Sequence, residues 1–463
     1  MSIIIPANSA VSGGFEVANS LMFNPASSAY LQKSASAGTN TKATFSAWIK
    51  KSDPTTEQFL FYHFGSSANN FRIRFDPNTI GVQTLSGSST VMHLNTSAKF
   101  RDPSAWMNIV VAIDSTQGTA SDRAKIYVNG VQETSLSAST YPSQNQNMHF
   151  NESGTVYIGS QAGSNYFNGY MSEVVWIDGT ALAPTSFGEF DEDSGIWVPI
   201  DVSGLTFGNN GSYLDFQDSA NLGNDANGGT DFTETNIDAA DQATDTCTNN
   251  FATFNPLRLN NLSQTYSKGN TFLIRTGSAG QMNGTQGVKS GKWYYECLID
   301  DYWQYFGWTV PSLNTTLAAP CSDSGSGFYG LYSNASAVLT YANGSQTSQG
   351  SYTAMASGQI WGIAFDADNA KMYFSVNGVW ENSSDPANQT NPAMSSIPVT
   401  DFLVPAIGQG TGSRSSTIKM NFGNGYFGTT PVSSAGTNAS GNGIFEYDVP
   451  TGYTALSTEG LNS

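Results

Sequence analysis

One turn, used twice, constrains this chain more than any other feature. Residues 124–131 read AKIYVNGV and residues 371–380 read KMYFSVNGVW. In the first, Ile126 and Val128 share one face of an extended strand, and Lys125 and Tyr127 share the other. Asn-Gly is the pair that best accepts positive φ at both central positions of a type I′ turn, whose twist matches that of the strands it joins. Each stretch therefore predicts a β-hairpin, closed by Asn129-Gly130 and by Asn377-Gly378. The rest of the chain agrees. Only 12% of residues are charged and 47 are glycine, so Ser, Thr, Asn and Gly take most exposed positions, which suits strands and tight turns. No window carries a sustained 3.6-residue apolar stripe. The expected class is all-β. At 463 residues the chain exceeds the usual size of one core, and strand candidates fall into two groups. ATFSAWIKK (43–51), FLFYHF (59–64), FRIRF (71–75), WMNIVVAID (106–114) and GYMSEVVWID (169–178) lie in the first half. KWYYECLID (292–300), FGWTV (306–310), QIWGIAFD (359–366) and TIKMNFG (417–423) lie in the second. This spacing predicts two β-sandwich (jelly-roll) domains.

Between the halves lies an acidic segment. Residues 201–250 hold nine carboxylates and no lysine or arginine, half of the net charge of −18. With its GNNGS and NGGTD turns it is expected to be a connector containing one hairpin, LTFGNNGSYLDF. The acidic balance excludes a nucleic-acid partner, whose phosphates would be repelled. No stretch has the length of a membrane span, so no membrane insertion is expected. The N-terminus MSIIIPANSAVSGGF lacks a positive n-region and a long apolar run, which predicts synthesis without a signal peptide. Cys247, Cys297 and Cys321 have no metal-ligand spacing and are expected to be isolated thiols.

FNPASSAYLQ (23–32), TFSAWIKK (44–51), WMNIVVAID (106–114), KIYVNGVQ (125–132) and YFNGYMSEVVWIDGTAL (166–182) occur in an order that resembles laminin-G-like, concanavalin-type jelly rolls. GKWYYECLID (291–300), FGWT (306–309), GQIWGIAFDADNAKMYFSVNGVW (358–380), LVPAIGQG (403–410) and MNFGNGYFG (420–428) resemble a SPRY domain. The pairing of these modules, with TNNFATFNPL (248–257) and PTGYTALSTEGL (450–461) flanking the second, resembles virion proteins of tailed, particularly marine, bacteriophages. The implied organisation is an anchor segment at 1–16, a jelly roll at 17–190, an acidic connector at 191–257, a SPRY domain at 258–430 and a tail at 431–463. The implied role is a non-enzymatic fibre, spike or decoration subunit in the virion. Its implied partners are other virion proteins, a host-surface glycan or receptor, and further copies of itself, a trimer if it is a fibre.

Catalytic chemistry is sparse. The three histidines, His63, His93 and His149, lie in no Ser-His-Asp motif, and His63 falls within an aromatic strand. Concanavalin-type glycosidases flank a glycosidic bond with two carboxylates. The nearest pattern is EFDED, with Glu189, Asp191 and Asp193 on one face, but it follows the last jelly-roll strand and reads as a solvated linker. Asp215, Asp218 and Asp225 offer oxygens for calcium, which laminin-G-like jelly rolls often hold, or are simply hydrated surface carboxylates; no D-x-D-x-D-G loop is present. Trp48, Trp106, Trp176, Trp293 and Trp361 sit in strand patterns and are expected in cores. DYWQYFGW places aromatics at a strand–loop junction, and SPRY domains bind partners through loops at one rim. Tyr302, Trp303, Tyr305 and Trp380 are thus the candidate partner-binding surface.

Overall fold

The computed structural model describes residues 14–257, 263–277, 280–300, 303–311, 320–333, 337–409, 414–428 and 430–462. The anchor expected at 1–16 falls outside it up to residue 13, as does Tyr302. The chain divides into two compact units that meet at Asn249-Asn250.

The N-terminal unit contains β1 (Ser20–Phe23), β2 (Tyr30–Ala35), β3 (Lys42–Lys51), β4 (Gln58–Phe64), β5 (Asn70–Asp76), β6 (Thr79–Ser86), β7 (Ser89–Thr96), β8 (Trp106–Asp114), β9 (Ala124–Val128), β10 (Val131–Gln132), β11 (Leu136–Thr140), β12 (Gly154–Ile158) and β13 (Gly169–Asp178). After these come β14 (Gly188–Phe190), β15 (Trp197–Pro199), β16 (Ser212–Leu214), β17 (Thr233–Thr235) and β18 (Gln242–Ala243). One sheet runs β10-β9-β8-β3-β13-β1-β18, with β16 also paired to β13; the other runs β11-β7-β6-β5-β4-β12-β2-β17. Alternation along each strand turns one apolar face inward. Phe71, Ile73 and Phe75 of β5 and Ile109, Val111 and Ile113 of β8 lie in the same core, and Phe61 of β4 stacks on Trp176 of β13 at 4.3 Å between ring centroids. Burying each such side chain stabilises the fold by about 1.5–3 kcal/mol.

The acidic segment differs from its expected role as a connector. Three of its strands extend the sandwich sheets, with β16 on β13, β17 on β2 and β18 on β1. LTFGNNGSYLDF is not a separate hairpin, because β16 pairs with β13 and the Phe207 carbonyl accepts from Asp178 N–H. The physical reason lies in two buried lysines. Lys50 is 1% exposed and its ammonium lies 2.6 Å from Asp245, which also accepts the Trp106 indole N–H at 3.0 Å. Lys33 meets Asp225 at 3.7 Å. Buried cations require counter-ions, and the acidic segment supplies them.

The C-terminal unit contains β19 (Ser263–Ser267), β20 (Phe272–Gly277), β21 (Gly280–Asn283), β22 (Lys292–Ile299), β23 (Gln304–Thr309), β24 (Phe328–Ser333), β25 (Val338–Ala342) and β26 (Ser345–Ser348). It continues with β27 (Ile360–Asp366), β28 (Lys371–Val376), β29 (Val379–Trp380), β30 (Val404–Gln409), β31 (Arg414–Asn421), β32 (Tyr426–Phe427), β33 (Thr430–Pro431), β34 (Thr454–Ala455) and a short helix, Thr458–Asn462. Its sheets run β19-β20-β31-β22-β27-β28-β29, with β34 on β22, and β21-β30-β23-β24-β25-β26. Trp308 and Phe365, from opposite sheets, approach to 4.8 Å in the core. Residues 250–257 and 431–462, expected as connector and tail, belong to this body. Ala252 and Phe254 enter the core, while Phe445, Val449 and Tyr453 cover Tyr294 and Tyr373.

Both Asn-Gly turns form as expected, with Asn129 and Gly130 at φ 47° and 76°, and Asn377 and Gly378 at 47° and 79°. Asparagine does more than tolerate this backbone. Asn129 Oδ1 accepts from Asn108 N–H at 2.8 Å, and Asn377 Oδ1 accepts from Ile360 N–H at 2.9 Å, so each turn is latched to the neighbouring strand. A Cβ on Gly130 would come within 2.4 Å of the Trp197 ring, and one on Gly378 within 2.5 Å of the Tyr447 ring. Gly130→Val and Gly378→Val are each expected to cost on the order of 1–3 kcal/mol from backbone strain alone. Thermal denaturation with hydrogen exchange should show the loss confined to the unit that carries the substitution.

Candidate functional site

The residues singled out from sequence do not assemble into one surface. Trp303 is half-buried at φ 80°, a backbone region unusual for a bulky residue. Tyr305 is 5% exposed and stacks on Tyr332 at 4.3 Å within a cluster that includes Phe328 and Tyr341. Trp380 sits in the other sheet, packed beside Tyr294 at 6.4 Å. Tyr305 and Trp380 therefore act as packing residues on different sheets. The five strand tryptophans are buried as expected, and Cys247, Cys297 and Cys321 are all thiols.

Asp215, Asp218 and Asp225 are not gathered around a common point. Asp225 is buried against Lys33 and accepts from Tyr213 N–H, whereas Asp215 and Asp218 each close a local turn, accepting from Gln217 and Ala220 N–H. Among the described residues no group of three His, Cys, Asp or Glu side chains is arranged to hold a metal ion. The EFDED stretch runs from β14 into the turn of the β14–β15 hairpin, and Asp191 accepts from both the backbone N–H and the hydroxyl of Ser194, which holds its carboxyl below the usual range. Asp191 is thereby committed to its own turn.

Sequence reading missed a serine–imidazole–carboxylate relay. His149 Nε2 lies 2.9 Å from Ser86 Oγ, and its Nδ1 lies 2.8 Å from Glu152 Oε2. That is the order of an acyl-transfer triad, but such a site also needs free N–H donors for an oxyanion. The donors following Ser86 are already engaged, Gly87 N–H with Asn69 Oδ1 and Ser88 N–H with the Ala68 carbonyl. The relay ties the β6–β7 hairpin to the loop before β12. His63, fully buried, contacts the Glu152 carbonyl through Nε2 at 2.9 Å and belongs to the same bracing.

Glu173 is a strongly perturbed carboxyl of the N-terminal unit. It occupies a bulge in β13 at φ 49°, is 5% exposed, and accepts the Tyr213 hydroxyl at 2.6 Å. Burial pushes its pKa up to about 7. A carboxyl raised in the folded state adds stability that is complete below about 4.5 and lost as pH rises through about 7. Between pH 5 and pH 8 this group alone should cost the unit on the order of 2–3 kcal/mol. Glu173→Gln is expected to melt like the parent at pH 5 and at a higher temperature at pH 8; parallel melting curves would show that Glu173 does not titrate there.

The outer face of the second N-terminal sheet carries a different kind of site. Strand register aligns Gln32, Tyr157, Tyr62, Arg72, Gln83 and His93 in one row across β2, β12, β4, β5, β6 and β7. Their neighbours along each strand, including Leu31, Val156, Ile73, Val82 and Leu94, point into the core. Six strands at ~4.8 Å spacing make the row about 24 Å long. Two of its six residues, Tyr157 and Tyr62, are tyrosines. Tyr157 lies 6.2 Å from Tyr62 and 5.9 Å from Tyr30, which in turn lies 6.3 Å from Tyr166. The rest is polar, with Gln32 at one end and Arg72, Gln83 and His93 in sequence at the other.

The fold matches a known family over part of its length. The model of the concanavalin A-like lectin/glucanases superfamily matches residues 25–185. That range lies within the N-terminal unit and ends just after β13. Curated proteins gave no match. Among solved structures, the SPRY domain of human HERC1 is similar at 15% identity, with 36% of this chain and 96% of that one covered and a TM-score of 0.28. A putative carbohydrate-binding protein from Bacteroides ovatus is similar at 18% identity, covering 48% of this chain and 58% of that one, with a TM-score of 0.32. A heptameric SAP-like pentraxin from Limulus polyphemus is similar at 14% identity, covering 37% of this chain and 80% of that one, with a TM-score of 0.28. Likeness at this level concerns the fold alone.

Proposed function

We propose that the chain is a non-enzymatic, glycan-binding adhesion protein of a tailed-bacteriophage virion, a fibre, spike or decoration subunit. The observation that carries the binding part is the row on the outer sheet face, where tyrosine rings adjoin Arg72, Gln83 and His93. Sugars combine apolar C–H faces with hydroxyl rims, and flat aromatic rings beside hydrogen-bonding side chains complement both. The family match over residues 25–185 supports the same reading. A purely binding role is favoured because the catalytic patterns sought, EFDED and the histidine relay, are engaged in turns and bracing.

The virion assignment rests on the resemblance of the paired modules, TNNFATFNPL and PTGYTALSTEGL to phage structural proteins. In that setting the chain is made in the host cytoplasm, contacts other virion proteins, and assembles with copies of itself, a trimer in a fibre. Repetition suits a weak glycan contact, because later contacts in a linked array become intramolecular. Mass-spectrometric inventory of purified particles, with adsorption measured in the presence of free protein, tests the proposal. Presence in the particle and blocked adsorption are expected. Absence from the particle would instead favour a bacterial adhesin.

A further inference from the structure

Resting on the reading of the N-terminal unit as a glycan-binding module, we infer that its outer sheet face takes a uronic-acid saccharide, with the sugar carboxylate on Arg72 and a pyranose ring against Tyr157. Charge distribution is the first reason. Acidic residues outnumber basic ones by 36 to 18, yet Arg72 forms no ion pair among the described residues; its Nε and one Nη donate only to the Asn70 side-chain amide, at 3.2 and 2.8 Å. Arg74, two residues along the same face, shows the alternative: it is neutralised by Glu57 at 3.2 Å and by Asp76. A guanidinium with unused donors at the centre of a sheet face matches a carboxylate in both charge and planar geometry.

The neighbours of Arg72 supply the second reason. On one side the cross-strand partner is Tyr62, followed by Tyr157; on the other it is Gln83, followed by His93. Tyr157 is half-buried and offers a ring for stacking in the same row as the cation, with the buried Tyr62 between them. The half-buried ring of Tyr157 and a guanidinium with unused donors thus lie along one row, as a charged oligosaccharide requires.

The test uses the full chain and trisaccharides of galacturonate, mannuronate and guluronate, each beside its methyl ester, in titration calorimetry at low and moderate salt. Esterification keeps the ring and removes the charge, so this comparison needs no mutant. At least one acid form is expected to bind tenfold or more tightly than its ester, with affinity falling as salt rises. Arg72→Gln should abolish that preference, while Tyr157→Ala should weaken acid and ester alike by about tenfold. Equal binding of acid and ester, or full affinity in both variants, would overturn the inference while leaving a glycan-binding role intact. Failure of all six ligands to bind, in a protein that binds neutral glycans, would overturn it in the same way. Failure with every glycan would remove the underlying function as well.

Discussion

Replacing Asp245 with Ala is expected to destabilise the N-terminal unit by about 3–5 kcal/mol, because it removes the carboxylate in contact with the buried Lys50 ammonium. The two groups are 2.6 Å apart and Lys50 is 1% exposed, so water cannot take the carboxylate's place without opening the sheet. The Trp106 indole N–H loses its acceptor in the same step. For a unit of this size the melting temperature should fall by roughly 10 °C. Adding Lys50→Met to Asp245→Ala should restore most of the loss, since an apolar side chain of similar volume removes the buried charge. Hydrogen exchange should place the change in peptides from residues 14–249. An Asp245→Ala protein as stable as its parent would mean that the acidic segment is not integral to the sandwich.

The second large effect concerns Glu296 at the centre of β22. Its carboxyl accepts the backbone N–H groups of Glu446 and Tyr447, both at 2.9 Å, and the Tyr294 hydroxyl at 3.1 Å. Burial drives its pKa up to about 7 even though these donors pull the other way. Glu296→Ala removes the acceptor of two part-buried N–H groups, Glu446 and Tyr447, and of the buried Tyr294 hydroxyl, on the order of 3–5 kcal/mol in all. The segment carrying Phe445, Val449 and Tyr453 should detach from Tyr294 and Tyr373, exchanging its amides faster before the sandwich itself melts. Unchanged protection over residues 440–457 would show that apolar cover alone holds this segment.

What the sequence disclosed follows from the range of the interactions. The Asn-Gly turns were legible because everything they need lies within four residues, and the strand tryptophans were legible from alternation. The acidic segment read as a linker because its partners are remote: Asp245 answers a lysine 195 residues earlier in the chain. Within its own neighbourhood it shows only turn residues and hydrated charge. Tyr305 was misplaced for a related reason. Position beside a loop suggested exposure, whereas Tyr332 and Tyr341, brought in by strand pairing, enclose it. The outer-face row was half visible, since FRIRF sets Arg72 and Arg74 opposite Phe71, Ile73 and Phe75, and TVYIG sets Tyr157 opposite Val156 and Ile158. Only register could show that Arg72 and Tyr157 flank Tyr62 in a single line.

The most direct test of the central claim is equilibrium binding of the purified full chain to a panel of bacterial surface polysaccharides and their oligosaccharides, neutral and acidic. The account predicts saturable binding to at least one acidic member, lost when Tyr157 and Arg72 are replaced together and retained when Trp303 is replaced. Saturable binding that survives the double replacement would place the site elsewhere, and no saturable binding to any member would contradict the claim that this chain recognises glycans.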